Sequence, residues 1–345
     1  MAQTEPNHIT GIEISGFRGI KKGNLDGLAP LTVLVGTNSA GKSTVLEALY
    51  LGLTDRPIDG LFHCIRRRPD LVDGAKWLFF DKKAAQIQAA VQISRSDQAM
   101  QIVLIAATRP AAPSQPWQAQ LTVNLRVAGA GKKLFAIATP VPGRVSGAQP
   151  NSPTLGEPGL VPDVRFIESL GSLSDVALTD RLTQAAEQGR RAEVDALLGD
   201  VLSRDLRLEV LTAEGVPYVG LTMKDGAFPL GAVGDGIQLL VRQCLELAAL
   251  PGGVALVEEP EAHKHPAALR STAKAIVAAV KRGVQVVLST HSLELIDDLV
   301  SECNAESLAK MALFRLSLSD GLLRTSRLAG SDVQAMRSDI AEDLR

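Results

Sequence analysis

The sequence predicts an α/β fold with a mixed sheet, an antiparallel β subdomain and a helical lobe. Three patterns carry this prediction. A glycine-rich loop lies between an apolar run and a helical segment near the N-terminus, alternating polarity fills the middle of the chain, and helices alternate with short apolar runs near the C-terminus. Strand–helix–strand alternation is typical of parallel strands with helical crossovers, whereas alternating polarity is typical of half-buried antiparallel strands.

The first fifty residues predict three strands and a helix. Residues 8–20 alternate apolar and polar side chains before a turn, and a short strand around 25–28 is expected to pair with them. The apolar run Leu31–Val35 predicts a buried strand, and Thr44–Leu51 predicts the helix that follows it.

The middle of the chain predicts antiparallel strands and then helices. The alternating stretches are 77–80, 85–93, 100–107 and 118–127. Proline, glycine and serine dominate about 140–162, which predicts a flexible excursion and most simply a linker. Residues 174–203 are helical in pattern with a break near Gly189, and 206–212 with 218–223 predict a hairpin.

After Gly236 the pattern becomes regular. It predicts a helix over 237–250, a strand over 253–257, a helix that Pro266 opens, and a further strand over 284–289. A last helix, capped by Ser292, runs through Val300. This order predicts parallel strands.

Composition narrows the class of protein. The 345 residues suffice for one large domain or two modest ones, and a net charge of −2 gives no global attraction to nucleic acid or acidic membranes. The three cysteines are far apart in sequence, which argues against a metal or disulfide framework. The polar N-terminus and the lack of an apolar run of roughly 18 residues lead us to expect a cytoplasmic protein with no membrane contact.

The loop Gly36–Ser43 fits the pattern G-x-x-x-x-G-K-[ST] and predicts a nucleoside triphosphate site. A loop from a strand into a helix N-terminus directs backbone N–H groups and the positive end of the helix dipole at one anion. Lys42 is expected to reach the β- and γ-phosphates and to assist catalysis, and Ser43 to ligate Mg²⁺. The expected ATP-binding residues here are Gly36, Asn38, Ser39, Ala40, Gly41, Lys42, Ser43 and Thr44.

Two acids follow the apolar strand Val254–Val257, at the strand end where open α/β sheets place ligands. Glu258 is expected to face Mg²⁺ directly or through water, and Glu259 to polarise the attacking water. His291 ends the next buried strand and is expected to lie beside the same γ-phosphate.

His263 and His265 stand two residues apart with no cysteine or further histidine nearby. That spacing makes a metal site improbable. A turn that packs against a partner subunit is the better interpretation of this segment.

These motifs together resemble the ABC-type P-loop ATPases of the SMC/RecF branch, most closely the OLD-like AAA_15/AAA_21 ATPases. Ile12–Ile20 resembles the family's opening I-x-N-F-R-x-I strand, which implies that Arg18 reaches the nucleotide phosphates. Gly36–Ser43 corresponds to Walker A, and Glu258–Pro266 reads EEPEAHKHP where the family typically has EEPEAHLHP. Ser289–Ser292 resembles the switch-histidine stretch S-T-H-S.

Residues 229–238, the signature loop, resemble the family's G-D-G form of the ABC signature. The resemblance implies that Gly234, Asp235 and Gly236 complete the ATP site of a second copy, so a homodimer is expected in the ATP state. Gly234 stands where many ABC proteins carry serine, which leaves the contact to backbone groups. The glutamine loop is unassigned among Gln86, Gln88 and Gln92.

The resemblance also implies a single ATPase domain over 1–345. Its nucleotide-binding core would comprise 1–60 and 228–345, and 61–227 would form an inserted β-rich and helical lobe. Sustained heptads are missing from 81–230, which argues against a coiled-coil arm. The 45 residues after Val300 are too few for a Toprim nuclease domain, so any effector is expected to be a separate protein.

The leading hypothesis is a switch protein that binds and hydrolyses ATP, dimerises around it, and controls a partner in DNA maintenance or anti-phage defence. One alternative is an ATP-binding regulatory module with little turnover. Another is an ATPase that binds DNA directly through the basic runs Arg66–Arg68 and Lys82–Lys83. The sequence leaves the partner, the trigger and the ATP-versus-GTP preference open.

Overall fold

The computed structural model describes ten segments of the chain, and all structural statements concern these segments. They are residues 8–66, 77–81, 86–96, 100–108, 118–126, 133–140, 162–168, 175–202, 205–339 and 342–345. The chain divides into two compact units. Unit 1 comprises Met1–Ala29, Leu34–Val164 and Phe314–Arg327, and unit 2 comprises Pro30–Val33, Arg165–Leu313 and Leu328–Arg345.

Unit 1 is built on a largely antiparallel sheet. Its strands are β1 (Ile9–Phe17), β2 (Ile20–Asp26), β4 (Gln86–Arg95), β5 (Met100–Thr108), β6 (Gln118–Arg126), β7 (Lys133–Pro140) and β15 (Leu322–Ala329), the last of which ends in unit 2. Two further strands, β3 (Leu31–Val35) and β14 (Met311–Ser319), are divided between the units. Within unit 1 the strand order is β7-β6-β5-β4-β1-β2-β15-β14.

Alternation along β1 sets its register. Ile12 and Ile14 are buried whereas Glu13 is exposed, and Ile14 pairs with Val91 of β4 on one side and with Gly23 of β2 on the other. Helix α1 (Lys42–Leu53) packs on β1, β4 and β5 through a buried face, and α2 (Pro57–Arg66) packs on α1. This packing fixes the start of α1, where the predicted phosphate loop, Gly36–Ser43, ends.

Unit 2 combines two short sheets with helices. Its strands are β8 (Val164–Ile167), β9 (Leu206–Ala213), β10 (Val216–Met223), β11 (Gly226–Pro229), β12 (Gly253–Glu258) and β13 (Val284–Ser289). Its helices are α3 (Asp175–Glu187), α4 (Arg191–Leu202), α5 (Asp235–Ala249), α6 (Pro266–Lys281), α7 (Leu293–Glu302), α8 (Ala305–Ala309) and α9 (Gly330–Asp339). One sheet has the order β3-β13-β12-β8, and the other is the antiparallel sheet β11-β10-β9.

Parallel pairing of β12 and β13 aligns the two strand ends that carry the predicted acids and histidine. The register runs from Gly253 opposite Val284 to Glu258 opposite Ser289. All of β13 is buried, as is β12 apart from half-buried Gly253, which explains why both strands are continuous apolar runs in the sequence.

The predicted fold class is confirmed: the structure is α/β with parallel and antiparallel strand pairs, a separate antiparallel sheet and a group of helices. The helix break is also found, since α3 ends at Glu187, α4 starts at Arg191, and Gly189 between them has a φ of 71°. Among the described residues, no helix is long and apolar enough to cross a membrane.

Some predicted elements differ from the observed ones. The strand predicted at 77–80 is wrong, because this segment forms only a single bridge between Phe79 and Phe17, with Phe79 fully buried. A third strand, β11, extends the predicted hairpin and leads into the signature loop. The excursion predicted at 140–162 lies outside the described residues except at its two ends.

Candidate functional site

The phosphate loop of unit 1 needs glycine at both ends. Gly36 has a φ of 145°, and a side chain there would collide with the backbone oxygen of Leu316. Gly41 has a φ of 95°, and Ser39 between them is also left-handed at 65°. These values fold the loop back from the buried end of β3 into α1, with Thr37, Asn38 and Ser39 exposed at its tip and Ala40 buried.

The N-terminus of α1 is arranged to accept an anion. Gly41 is its N-cap and supplies no side-chain acceptor, and the first turn carries no acid. The Lys42 ammonium donates to the backbone oxygens of Gly36 at 2.8 Å and Thr37 at 3.2 Å, so it lies over the loop. Ser43 and Thr44 follow, half-buried in the first turn. Helical N–H groups without a side-chain cap, a lysine over the loop and a first turn without acids fit a triphosphate.

The predicted acids lie at the end of β12 in unit 2. Glu258 is 7% exposed and sits opposite Ser289 in the ladder. Glu259 leaves the strand with a φ of 41°, and its N–H donates to the backbone oxygen of Ser289 at 2.9 Å. The left-handed backbone turns the chain at this point, so that the Glu259 carboxylate is 41% exposed while Glu258 is buried.

The end of β13 brings the predicted histidine to the second acid. His291 Nε2 lies 3.5 Å from Glu259 Oε1, and the imidazole is one-third exposed. Ser292 then caps α7 by accepting from the Leu295 N–H at 3.1 Å. An exposed carboxylate beside an imidazole can orient a water molecule and share its proton.

Sequence reasoning missed the part that Glu261 plays in this arrangement. Its Oε1 accepts from the Thr290 hydroxyl at 2.8 Å and from the His291 N–H at 2.7 Å. The only sequence signal was its place in the acidic run after β12. Nothing local marks a partner 29 and 30 residues further along the chain.

Two glycines of the signature loop, Gly234 and Gly236, have different surroundings. Gly234 is the exposed N-cap of α5, with a φ of −61° and no atom within 4 Å of where a Cβ would lie. Asp235 is the exposed first residue of α5. A Cβ on Gly236 would lie 2.7 Å from the backbone oxygen of His263, so this end of α5 packs directly on the turn after β12.

The structure gives Arg18 a buried set of partners in unit 1. Its guanidinium forms an ion pair with Glu47 of α1 and donates from Nη2 to the Cys64 backbone oxygen at 2.5 Å. Both side chains are nearly inaccessible, 7% exposed for Arg18 and 0% for Glu47. A contact between Arg18 and nucleotide phosphates, which stays a prediction, would require the guanidinium to leave these partners.

Two further sequence predictions, the basic runs and the glutamine loop, gain no support from the described residues. The basic runs Arg66–Arg68 and Lys82–Lys83 fall outside the described residues apart from the backbone of Arg66 at the end of α2. Gln86, Gln88 and Gln92 all lie on β4, with Gln88 exposed and Gln92 half-buried, and nothing distinguishes one of them as a glutamine loop.

Two family models match the segments that carry these motifs. The model described as "AAA ATPase domain" matches residues 8–102, and the model described as "AAA domain, putative AbiEii toxin, Type IV TA system" matches residues 192–297. The chain belongs to the P-loop ATPases that these two models describe.

Solved structures share the fold at low sequence identity. An Smc head domain with an extended coiled coil, bound to the C-terminal domain of ScpA and derived from Pyrococcus furiosus, superposes with a TM-score of 0.54 at 12% identity, covering 97% of this chain and 100% of that one. An SMC head bound to the C-winged helix domain of ScpA gives 0.52 at 13% identity, covering 93% and 98%.

Curated relatives match parts of the chain. The uncharacterized protein MJECL11 of Methanocaldococcus jannaschii is 32% identical over 114 residues, which are 33% of this chain and 99% of the relative. The uncharacterized protein MJECL44 of the same organism is 39% identical over 57 residues, 16% of this chain and 17% of the relative.

Proposed function

We propose that this protein binds ATP with Mg²⁺ and hydrolyses the γ-phosphate. The observation that carries the proposal is the Glu259–His291 pair, in which an exposed carboxylate and an imidazole from adjacent parallel strand ends lie 3.5 Å apart. Glu259 holds its exposed carboxylate in a left-handed backbone conformation outside any hairpin, and strain of this kind is typical of functional sites.

In this proposal the phosphate loop binds the phosphates, and the acids serve Mg²⁺ binding and water activation. Lys42 and the N–H groups at the start of α1 hold the phosphates, and Ser43 and Glu258 hold Mg²⁺. Bound Mg²⁺ supplies neutralisation of charge on the phosphate oxygens. Glu259 orients the attacking water and takes up its proton, and His291 hydrogen-bonds the water or the γ-phosphate and thereby senses hydrolysis.

A second copy completes the site in this proposal. Gly234 and Asp235 are exposed at an α5 N-terminus that has no side-chain cap, which leaves N–H groups for the nucleotide of another subunit. ATP then acts as the link between two copies, and its hydrolysis separates them.

A separate effector protein receives the signal. The two SMC heads with the same fold are each bound to a domain of ScpA, and one of the matched family models names a type IV TA system. These likenesses support our proposal of a role in DNA maintenance or anti-phage defence, and cytoplasmic location and ATP rather than another triphosphate are parts of the same proposal.

A low-turnover ATP-binding module is the second candidate. Gly234 offers no hydroxyl where the resemblance leads one to expect serine, so a second copy would contribute backbone groups alone. A slow ATPase that mainly responds to ATP occupancy would follow from this loss of a γ-phosphate contact.

Phosphate release and light scattering test both candidates. We expect the wild type to release phosphate with ATP and Mg²⁺, Lys42→Ala to release none, and Glu259→Gln to accumulate as an ATP-bound dimer. Glu214→Gln is the matched control, since Glu214 is also an exposed glutamate with a left-handed φ, here 49°, but lies in the β9–β10 turn. Wild-type turnover equal to that of Lys42→Ala would reject hydrolysis, and a monomeric Glu259→Gln protein in ATP would reject the dimer.

A further inference from the structure

The turn between β12 and α6, residues 259–265, is attached to the histidine segment by Glu261. One carboxylate oxygen, Oε1, accepts both the Thr290 hydroxyl and the His291 N–H. Thr290 Oγ1 in turn accepts the Ser292 N–H at 2.9 Å, at the start of α7. The orientation of His291 toward Glu259 therefore depends on a carboxylate two residues beyond Glu259 itself.

The same turn is attached to α5 at its other end. The Lys264 ammonium donates to Thr272 Oγ1 of α6 at 2.7 Å and to Gln243 Oε1 of α5. The His263 carbonyl meets Gly236 at the first turn of α5. Gln243 and Thr272 are both buried, so this half-buried lysine links the turn to buried side chains of both α5 and α6.

An electrostatic interaction between Glu261 and Lys264 links the two attachments of the turn. Glu261 Oε2 is buried and accepts no hydrogen bond within the described part of the chain, and Lys264 lies within its electrostatic reach. Burial lowers the pKa of Lys264 to about 7, and the nearby Cys244 and Glu261 act against that shift. A carboxylate with one unpaired oxygen and an ammonium with lowered pKa are each stabilised by the other.

We propose that Glu261 and Lys264 are positioning residues that hold this turn between the signature helix α5 and the switch histidine, so that a displacement of α5 is transmitted to His291. The proposal rests on the proposed ATPase function, and it adds a route between the loop that would touch a second copy's nucleotide and the group beside Glu259. Neither residue touches the reacting atoms. Each acts through another side chain, Glu261 through His291 and Lys264 through Gln243 and Glu261.

Hydrogen exchange tests the geometry without ATP. The chain has five histidines, so ¹⁵N-histidine labelling reduces the amide spectrum to five signals. Loss of its acceptor in Glu261→Ala should speed exchange of the His291 amide about tenfold or more, whereas Glu261→Gln, which keeps a carbonyl oxygen, should largely restore protection.

A lysine variant tests whether the turn transmits a change near α5 to His291. Lys264→Met should speed exchange of the same His291 amide about threefold or more, although Lys264 does not touch His291. Lys274→Met is the matched control, because Lys274 lies on the same helix α6 and, among the residues that the structure describes, pairs with Asp200 of α4 alone, at 3.0 Å. Equal effects of the two lysine variants, or unchanged exchange in Glu261→Ala, would overturn the proposal.

Steady-state kinetics separates positioning from general weakening of the fold. Glu261→Ala should lower kcat about tenfold with KM for ATP within about twofold, and should have little further effect when His291 is already alanine. Thr290→Val, which removes one of the two donors to Glu261, should have an intermediate effect. Additive losses in the double variant, or no recovery with Glu261→Gln, would refute action through His291. A wild type without turnover would instead refute the proposed function, while the exchange measurements would still decide the role of Glu261 and Lys264.

Discussion

The buried Arg18–Glu47 pair leads to a prediction that separates a structural role of Arg18 from a phosphate-binding one. Replacing Glu47 with leucine leaves the Arg18 guanidinium buried in unit 1, where among the described residues it keeps its hydrogen bond to the Cys64 carbonyl and its place near the Phe17 ring. Both side chains are more than nine-tenths buried, so solvent compensates little for the missing charge. Removing one partner of such a pair costs about 3–5 kcal/mol, and the surviving hydrogen bond places our expectation near the lower end, about 3 kcal/mol.

Removing both charges should be far milder. In Arg18→Met/Glu47→Leu neither charge of this pair remains to be buried, and apolar replacements of similar volume recover most of the stability, to within about 1 kcal/mol of the wild type. Urea unfolding followed by circular dichroism gives the free energies of unfolding of the single and double variants. Because the single and double changes share Glu47→Leu, their difference isolates the buried guanidinium.

The stable double variant also decides what Arg18 does for ATP. With the guanidinium committed to Glu47 and Cys64, we expect ATP affinity within about twofold of the wild type, measured by titration with a fluorescent ATP analogue. A loss of about a hundredfold in the double variant, with stability intact, would refute the structural role. Such a loss would mean that Arg18 leaves Glu47 for the phosphates, as the family resemblance implies.

Three further outcomes follow from the contacts in unit 2. Gly236→Ala should destabilise the protein by about 1–3 kcal/mol in urea unfolding, because its methyl group would lie 2.7 Å from the His263 oxygen, whereas Gly231→Ala, with open space around it, should change stability by less than about 0.5 kcal/mol. Gly234→Ser should be tolerated at its ordinary φ, add a few tenths of a kcal/mol as an N-cap, and increase phosphate release if the loop serves a second copy's ATP; unchanged release would argue against that use. Between pH 7 and the ordinary lysine pKa of 10.5, the folded protein binds fewer protons at Lys264 than the unfolded chain does, since the folded pKa is about 7. The stability of the wild type relative to Lys264→Met should therefore rise by about 1.5 kcal/mol from pH 7 to about pH 8.5, and a flat or falling difference would contradict a lowered pKa.

The sequence predicts the parts of the site whose chemistry is local. The phosphate loop is recognisable because its glycines, lysine and helix start lie within a few residues, and Gly36 and Gly41 have the positive φ angles that such a loop requires. Glu258, Glu259 and His291 are predictable because each lies within three residues after a buried apolar run, and parallel pairing of those runs brings their ends together.

The parts that sequence reasoning missed depend on distant partners. Nothing near Arg18 indicates a buried carboxylate 29 positions later on the opposite side of the phosphate loop, and nothing near Glu261 indicates Thr290. The strand predicted at 77–80 fails for a related reason, since the burial that produces its apolar pattern comes from packing of Phe79 near Phe17 rather than from a ladder. Pattern analysis detects burial, but it does not identify what causes the burial.

Backbone strain gives an independent reason to treat the turn after β12 as functional. Among the described residues, six that are not glycine have positive φ angles, namely Arg18, Ser39, Glu214, Glu259, His263 and Asp320. Glu214 and Asp320 lie at hairpin tips, where the turn itself requires this conformation. Glu259 and His263 belong to no hairpin, and each is held at a cost of order 1 kcal/mol by hydrogen bonds and packing from β13 and α5. Two strained residues therefore lie within one short turn. Glu259 carries the exposed carboxylate, and His263 supports the signature helix α5. We infer that the strain is retained because it fixes the orientation of these two groups. That is the physical basis for treating the carboxylate, the histidine and the signature helix as one mechanical unit.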